Sequence, residues 1–282
     1  MLAILFASMP VEAFVKIGRQ SDPASAISTA NADMIVVRGH DLCKDLIGSL
    51  TLTEHFWLLV TGTRPTAAQA RILDACMVAI SEHGLVPSVQ AARMTLAAGP
   101  DAVQGAVAAG ILGCGSVILG SAENAGKFLA RLCERADGGG LPAAASALVQ
   151  EYRAARQPFP GYGHPLHKGG DPRVDRLLAV AAEVGGSGQH VKAARAAEAA
   201  IHAATGKRLV LNISGAIPAV LLDAGFPLAA MKGVPILART ASLVAHLVEE
   251  QARPIGFVIS ENGAKAIAYD GTAPAGFVAG GH

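Results

Sequence analysis

The chain is short of charge and of aromatic rings. Only 16% of its 282 residues are charged and only 4% are aromatic, where a typical soluble domain is about 25% charged. A disordered chain, polar and strongly charged, is thereby excluded. Aromatic and β-branched residues are too few, and alanine and glycine too many, for an all-β sandwich. Net charge is +1 and the pI about 7.8, so there is no broad electrostatic footprint for nucleic acid. Cysteine is scarce as well. Cys43, Cys76, Cys114 and Cys133 are scattered, no pair has metal-ligand spacing, and they read as core thiols in a reducing cytoplasm. The opening MLAILFASMPVEAF has no Lys or Arg, so it lacks the basic start of a signal peptide.

What the chain has in abundance is apolar and small. Hydrophobic residues make up 51%, glycine contributes 32 positions, and mean hydropathy is +0.40. The stretch Ala102–Ala122 is uncharged and long enough to span a bilayer. It carries five glycines, a Gln and two serines, with no flanking basic bias and no aromatic belt. A buried helix is therefore expected, not a membrane span. Low charge with high hydropathy further implies surface that one subunit cannot bury alone, hence an obligate oligomer, expected as a homodimer.

Punctuation along the chain is helical, and the fold class expected is all-α. Thr51 and Glu54 form a capping box before HFWLLVTG, and Thr66 and Gln69 form another, with Gly84 as a stop. A helix is predicted from about Asp101 to Leu112, breaking into GCGSVILGS, and a separate one over Ala125–Arg135. Asp171 and Pro172 start a helix as N-cap and first residue. Further helices are expected over about His190–Thr205, Gly215–Gly225 and Pro235–Gln251, with a loose tail from about Gly271.

Four segments hold residues able to do chemistry. In FPGYGHPLHKGGDPR, Gly161 and Gly163 allow close backbone approach, and His164 sits on a loop running into a helix start beside Lys168 and Arg173. Such a loop binds anions, and a His there donates to a carbonyl or carries a proton. It also reads simply as a solvated turn. A metal on His164 and His167 lacks a third ligand nearby. His83 closes a predicted helix, where it complements the helix dipole with or without a function. Arg239, Ser242, His246, Glu249 and Arg253 form a stripe at spacings of three and four. The stripe is a solvated face unless Arg239, set among apolar residues, is buried against an anion. Asn212 and Ser214 precede a helix and suit N-capping.

Taken in order, these segments resemble one family. PGYGHPLHKGGDPR resembles the His loop of citrate synthases. EHGLVPSVQAAR with its following core helix, ILARTASLVAHLVEEQARP, and RGHDLCKDLIGSLTLTEHFWLLVTGTRPT are similar to further segments of that family, and LNISGA to the LNVDG segment of citryl-CoA lyases. The likeness covers roughly residues 27–270 and looks most like the compact citryl-CoA lyase branch. It implies an all-α fold with a large domain, residues 1–165 and 236–282, and a small one, 166–235, closing over a cleft in an intimate dimer. It also implies roles. His83 and His164 would hold a citrate-like substrate, Arg173 and Arg239 would bind its carboxylates, and Arg253 would reach the neighbouring subunit's site. Lys168, Lys207 and Arg208 would contact the phosphates of coenzyme A. Coenzyme A would enter as a thioester substrate, with no resident cofactor.

Two positions depart from the family pattern. The third catalytic His of citrate synthases is replaced by Leu119, as in the lyase-like branch. The Asp that moves the thioester α-proton falls at Ser214. A hydroxyl cannot act as an ordinary carboxylate base. Asp223 stands about two and a half turns further on, too far to substitute. The implied activity is cleavage of a citryl-CoA-like thioester to acetyl-CoA and an oxo acid, or the reverse. The alternative is a protein of the same fold that binds coenzyme A or a carboxylic acid without turnover.

Overall fold

The computed structural model describes residues 23–136, 140–163, 169–186 and 188–277, with backbone alone for 116–118. His164, His167 and Lys168 lie outside the described residues, as do the first 22 residues, on which the signal-peptide reading falls.

Among the described residues the chain is all-α apart from one short sheet the sequence did not announce. Near the start, Ser28–Ala30 (β1), Ile35–Val37 (β2) and His40–Asp41 (β3) make a three-stranded antiparallel meander in the order β1-β2-β3. The strands are two or three residues long, too short to show a period-2 pattern. A π-helical turn, Leu42–Leu46, follows, capped by Asp41. Ten α-helices and a 3-10 turn, Leu228–Ala230, complete the described residues: α1 Leu52–Thr61, α2 Ala67–Ser81, α3 Pro87–Ala98, α4 Val103–Arg135, α5 Gly140–Ala154, α6 Pro172–Glu183, α7 Gln189–Thr205, α8 Ile213–Asp223, α9 Gly233–Ala252 and α10 Gly256–Ala266.

Most boundaries follow local chemistry. The Thr51–Glu54 capping box is formed in both directions and Gly62 closes α1 in the left-handed conformation. Thr66 and Gln69 exchange the same bonds at the start of α2. Two expectations are corrected. The break foreseen after Leu112 is confined to Gly115, whose φ of 53° leaves the helical region, and helix resumes on its far side to Arg135. A helix after Arg253-Pro254 was not foreseen. α10 forms there because the Glu250 carboxylate accepts the N–H groups of Ile255 and Gly256.

The chain folds into two compact units. Residues up to Ala75 together with Ala122–Met231 make the first, and Cys76–Ser121 with Lys232 onward make the second. This division differs from the 166–235 excursion implied by the resemblance, which concerns closure, not compactness.

In the first unit α8 is the central helix. It is apolar all round, and Ala216, Ile217, Ala219, Val220 and Leu221 are wholly buried. It packs on α6 and α7, and α7 packs on α5. The few aromatic rings are concentrated here. Trp57 stands 5.3 Å from Phe226, and Phe128 makes edge contacts with Tyr152 and Tyr162.

In the second unit α3 packs on both α9 and α10. Its apolar core joins Val89, Ala92, Leu96, Ala106, Leu243 and Leu247. The uncharged stretch Ala102–Ala122 supplies part of this core through Ala106, with Val107 and Ile111 packed against it. A methyl on Gly110 would stand 2.7 Å from Leu243 and 3.0 Å from the Ser88 carbonyl, so α4 approaches α3 and α9 at backbone distance. On length and apolarity alone, Leu228–Ala252 passes as a bilayer span, yet its Arg239 and Glu250 are buried within protein.

Candidate active site

In the first unit, three separate segments meet at the start of α8. The Gly161–Gly163 turn, which leads to His164, lies antiparallel to residues 210–212. Gly163 N–H donates to Val210, Asn212 N–H donates to Gly161, and the Asn212 amide donates to the Gly163 carbonyl at 2.7 Å. Gly161 and Gly163 have φ of 87° and 82°. A methyl on Gly161 would come within 2.7 Å of the Gly215 Cα, so glycine is required on both sides of this contact. Tyr162, between them, is buried and donates to the Ala194 carbonyl at 2.8 Å, which ties the turn to α7.

Asp171 is the second staple. Its carboxylate caps α6 through Arg173 N–H and also accepts Ile213 N–H at 3.1 Å, joining the starts of α6 and α8. Arg173 closes on it with Nε at 2.9 Å and Nη2 at 2.8 Å. Burial would raise the Asp171 carboxyl, but the Arg173 pair and the backbone donors hold it below the usual carboxylate range. The expected substrate carboxylate on Arg173 would therefore share a guanidinium already half engaged.

Ser214 is half-buried in the first turn of α8, not ahead of it, because Asn212 is the N-cap. Ile213 N–H goes to Asp171 and Gly215 N–H to Asn212. Neither the N–H nor the hydroxyl of Ser214 has a hydrogen bond among the described residues. Pro218, four residues on, has no N–H for the Ser214 carbonyl. Ser214 thus brings uncommitted donors to a helix N-terminus, where the dipole favours negative charge.

Asp223 cannot stand in for the missing carboxylate. It is at the far end of α8 and takes the N–H groups of Gly188, His190 and Val191, with His190 Nδ1 at 2.9 Å. Burial disfavours a charge on His190, but the Asp223 bond, with Cys133 beside the ring, outweighs it and lifts the imidazole to about 9. Burial likewise opposes the Asp223 charge and loses to the His190 bonds, so that carboxyl sits below its ordinary range. The raised imidazole contributes stability fully below its unfolded value of about 6.5 and loses it as pH rises through about 9. The lowered carboxyl contributes above its unfolded value of about 3.9 and loses it as pH falls through its folded value. Asp223→Asn is expected to cost on the order of 1–3 kcal/mol near pH 7, and less above pH ~9, where wild type has lost the charged pair too. Denaturant unfolding at pH 7 and 10 checks this, and equal losses at the two pH values would remove the ion pair from the account.

Lys207 and Arg208 are exposed in the turn between α7 and α8, as phosphate contacts would need to be.

The second unit holds His83, Arg239 and Arg253. α2 ends at Ser81, so His83 stands in the turn beyond the helix instead of in its last turn. The Glu82 carboxylate accepts the N–H groups of His83 and Gly84 and turns the chain out. Glu82 also accepts from the Ser242 hydroxyl and from His246 Nε2 at 3.0 Å. Burial works against its charge, but the Ser242, Gly84 and His246 donors hold the carboxyl below its usual range. The α9 stripe is therefore solvated at its end, at Glu249 and Arg253, but packed at Arg239, Ser242 and His246. Arg239 is 6% exposed, as its apolar neighbourhood suggested. Arg253 caps α9 with an exposed side chain 3.6 Å from Glu249.

Sequence reasoning missed the residue that organises this stripe. Arg93, on α3, is 2% exposed and bonds Glu250 at 2.6 Å and Glu249 at 2.8 Å. It also donates to the Arg253 carbonyl at 3.2 Å. A lone Arg in the apolar run QAARMTLAA was the available signal. Leu119, at the position of the family's third His, is buried.

The profile of the family described as "Citrate synthase, C-terminal domain" matches residues 19–256. Among curated proteins no significant sequence match is found. Among solved structures, the chain is similar to citryl-CoA lyase from Hydrogenobacter thermophilus, at 32% identity and TM-score 0.81 over 90% of this chain and 97% of that one. ATP citrate lyase from Methanothrix soehngenii, solved with citrate and coenzyme A, matches at 22% identity and TM-score 0.74, over 92% of this chain and 43% of that one. Citrate synthase from Pyrobaculum aerophilum matches at 21% and 0.60, over 81% and 55%. The last two bear on the fold alone. The family profile runs through the Gly161–Gly163 turn, the Asp171 cap and the Asn212–Ser214 segment, and the lyase match spans nearly the whole of both chains: the protein belongs to the citrate synthase family, in its citryl-CoA lyase branch.

Proposed function

We propose that the protein cleaves a citryl-CoA-like thioester to acetyl-CoA and oxaloacetate or a related oxo acid, or runs the reverse condensation. The observation that carries this reading is the 32% identity to a citryl-CoA lyase over nearly the whole length of both chains. The convergence of the Gly161–Gly163 turn, Asp171–Arg173 and Ser214 supports it. In cleavage the tertiary hydroxyl gives up its proton, the adjacent carbon–carbon bond breaks, and its electron pair passes into an acetyl-CoA enolate that must then be protonated. His164 and His83 would hold the hydroxyl and carbonyl oxygens, and Arg173 and Arg239 the carboxylates. Lys168, Lys207 and Arg208 would meet the coenzyme A phosphates, so coenzyme A arrives as part of the substrate and no resident cofactor is invoked. Ser214 would act as a donor, its N–H and hydroxyl facing developing negative charge or holding the water that protonates the enolate.

The test is incubation with citryl-CoA and quantification of acetyl-CoA and oxo acid, alongside acetyl-CoA-dependent release of free CoA with oxaloacetate. Thermal shift with CoA, acetyl-CoA, oxaloacetate, citrate and citramalate runs in parallel, since a ligand at 100 times its Kd stabilises by about 2.7 kcal/mol. Turnover in either direction supports the reading. The absence of both turnover and any shift overturns it. Shifts without turnover favour the second reading, binding without catalysis, for which Ser214 in place of a carboxylate is the motivating observation.

A cytoplasmic homodimer is part of the proposal. Leu112, Val244, Val248 and Phe257 are exposed apolar side chains of the second unit, and the interface is expected to bury more than about 2,000 Å² in total. Sedimentation at micromolar concentration should give a dimer, and a stable monomer there would refute it.

A further inference from the structure

We infer that Glu82 is a positioning residue for His83, the link through which the buried Arg93 ion pairs on α9 determine where His83 stands. That His83 meets substrate rests on the reading above, whereas the clamp itself is geometry within the second unit.

Glu82 and His83 are adjacent in the turn after α2. One carboxylate oxygen, Oε1, accepts the N–H of His83 at 2.9 Å and that of Gly84. The other, Oε2, accepts the Ser242 hydroxyl and stands 3.0 Å from His246 Nε2. Ser242 and His246 are one turn apart on α9, hence on one face. A carboxylate bonded only to its own turn would be local chain chemistry, and one bonded only to α9 would be a surface contact. This one does both, and the backbone of His83 is tied to α9 through a single rigid group.

The far side of the tie is fixed in turn. Arg93 Nη1 lies 3.4 Å from His246 Nδ1 and 2.8 Å from Glu249. A guanidinium can only donate, so in the neutral imidazole Nδ1 is the acceptor and the hydrogen sits on Nε2, toward Glu82. The order of contacts is Glu249, Arg93, His246, Glu82, His83. Beside that order of contacts, Arg93 also pairs with the buried Glu250 and donates to the Arg253 carbonyl. The turn bearing one site residue and the helix end bearing another thus share one anchor.

Displacement of a reacting group by about 1 Å costs on the order of 10² in rate. Glu82→Ala and Glu82→Gln are therefore expected to lower kcat for cleavage or condensation by about ten- to a hundredfold, with KM for the coenzyme A thioester nearly unchanged. Glu82→Asp, which keeps the carboxylate, should recover part of the loss. Glu82 is half exposed, so its variants should fold, and melting curves check this. A second arm needs no turnover. Amide hydrogen exchange at His83 and Gly84 and the histidine ring resonances are read in wild type, Glu82→Gln and Glu82→Ala. Support requires the Nε2–H tautomer of His246 in wild type, faster exchange of both amides in Glu82→Ala, and displaced His83 resonances in both variants. Unchanged exchange and His83 resonances overturn the inference whatever the activity, as does an active enzyme whose Glu82→Ala variant keeps wild-type kcat. If wild type turns over nothing, the proposed function fails and the exchange arm alone decides the clamp.

Discussion

Arg93→Met is expected to destabilise the second unit by about 3–5 kcal/mol near pH 7, the cost of leaving a buried charge without its partner. Arg93 and Glu250 are each 2% exposed at the side chain and 2.6 Å apart. With the guanidinium gone, Glu250 keeps only the Ile255 and Gly256 N–H groups. In wild type, burial pushes the Glu250 carboxyl up, and Arg93 with those N–H groups brings it below the usual range. In the variant the burial effect dominates, so the carboxyl rises and takes up a proton at higher pH than when unfolded. The deficit should therefore shrink as the solution is acidified, opposite in sign to the wild-type dependence. Glu250→Gln should cost less than Arg93→Met, because Arg93 still meets Glu249 at 2.8 Å and the amide oxygen can still cap α10. The double variant should recover much of the Arg93→Met loss, since no buried charge remains. The Arg71–Glu183 pair, about half exposed on each side, is the control, and Arg71→Ala should leave stability nearly unchanged, because solvent screens an exposed pair. Urea unfolding at two pH values measures all of these. An Arg93→Met protein as stable as wild type would show that the network is decorative.

The contrast between these pairs explains what could be read beforehand. Capping is local chemistry over three or four residues, so Thr51, Thr66, Asp171 and Asn212 announced their helices in the sequence. The family resemblance placed the His loop and the LNIS segment, but not the contact between them. That contact depends on two glycines 54 positions apart meeting at backbone distance, Gly161 and Gly215. The α9 stripe was visible as spacing, and a burial argument singled out Arg239. The partners that decide the stripe's role, Glu82 and Arg93, sit on other segments, and no period within one helix points to them. α10 was missed for the same reason. Its N-terminal donors are satisfied by Glu250, a side chain of the preceding helix, and no Ser, Thr, Asp or Asn stands at its start.

Ser214→Asp is expected to raise turnover, by on the order of 10²–10⁴ if the site is a citryl-CoA site lacking only its carboxylate. The position is suited to the change. Ser214 is in the first turn of α8, where the helix dipole favours an anion, and its N–H is uncommitted among the described residues. The Asp171 carboxylate is already at this helix start through Ile213 N–H, and Arg173 offsets its charge. A second carboxylate nearby feels some like-charge repulsion, which raises its affinity for a proton. That is the direction a base needs if it is also to return a proton to an enolate. Ser214→Ala separates the remaining possibilities, since it removes the hydroxyl and keeps the backbone N–H. If the serine is a vacancy left by the lost carboxylate, Ala and Ser should be equally slow and Asp faster, in citryl-CoA cleavage and in acetyl-CoA-dependent CoA release alike. If wild type is fast and both variants are slow, the hydroxyl itself takes part, holding the proton-bearing water or the oxygen of a different acid. The carboxylate of the wider family would then have been replaced by another solution to proton transfer, not deleted.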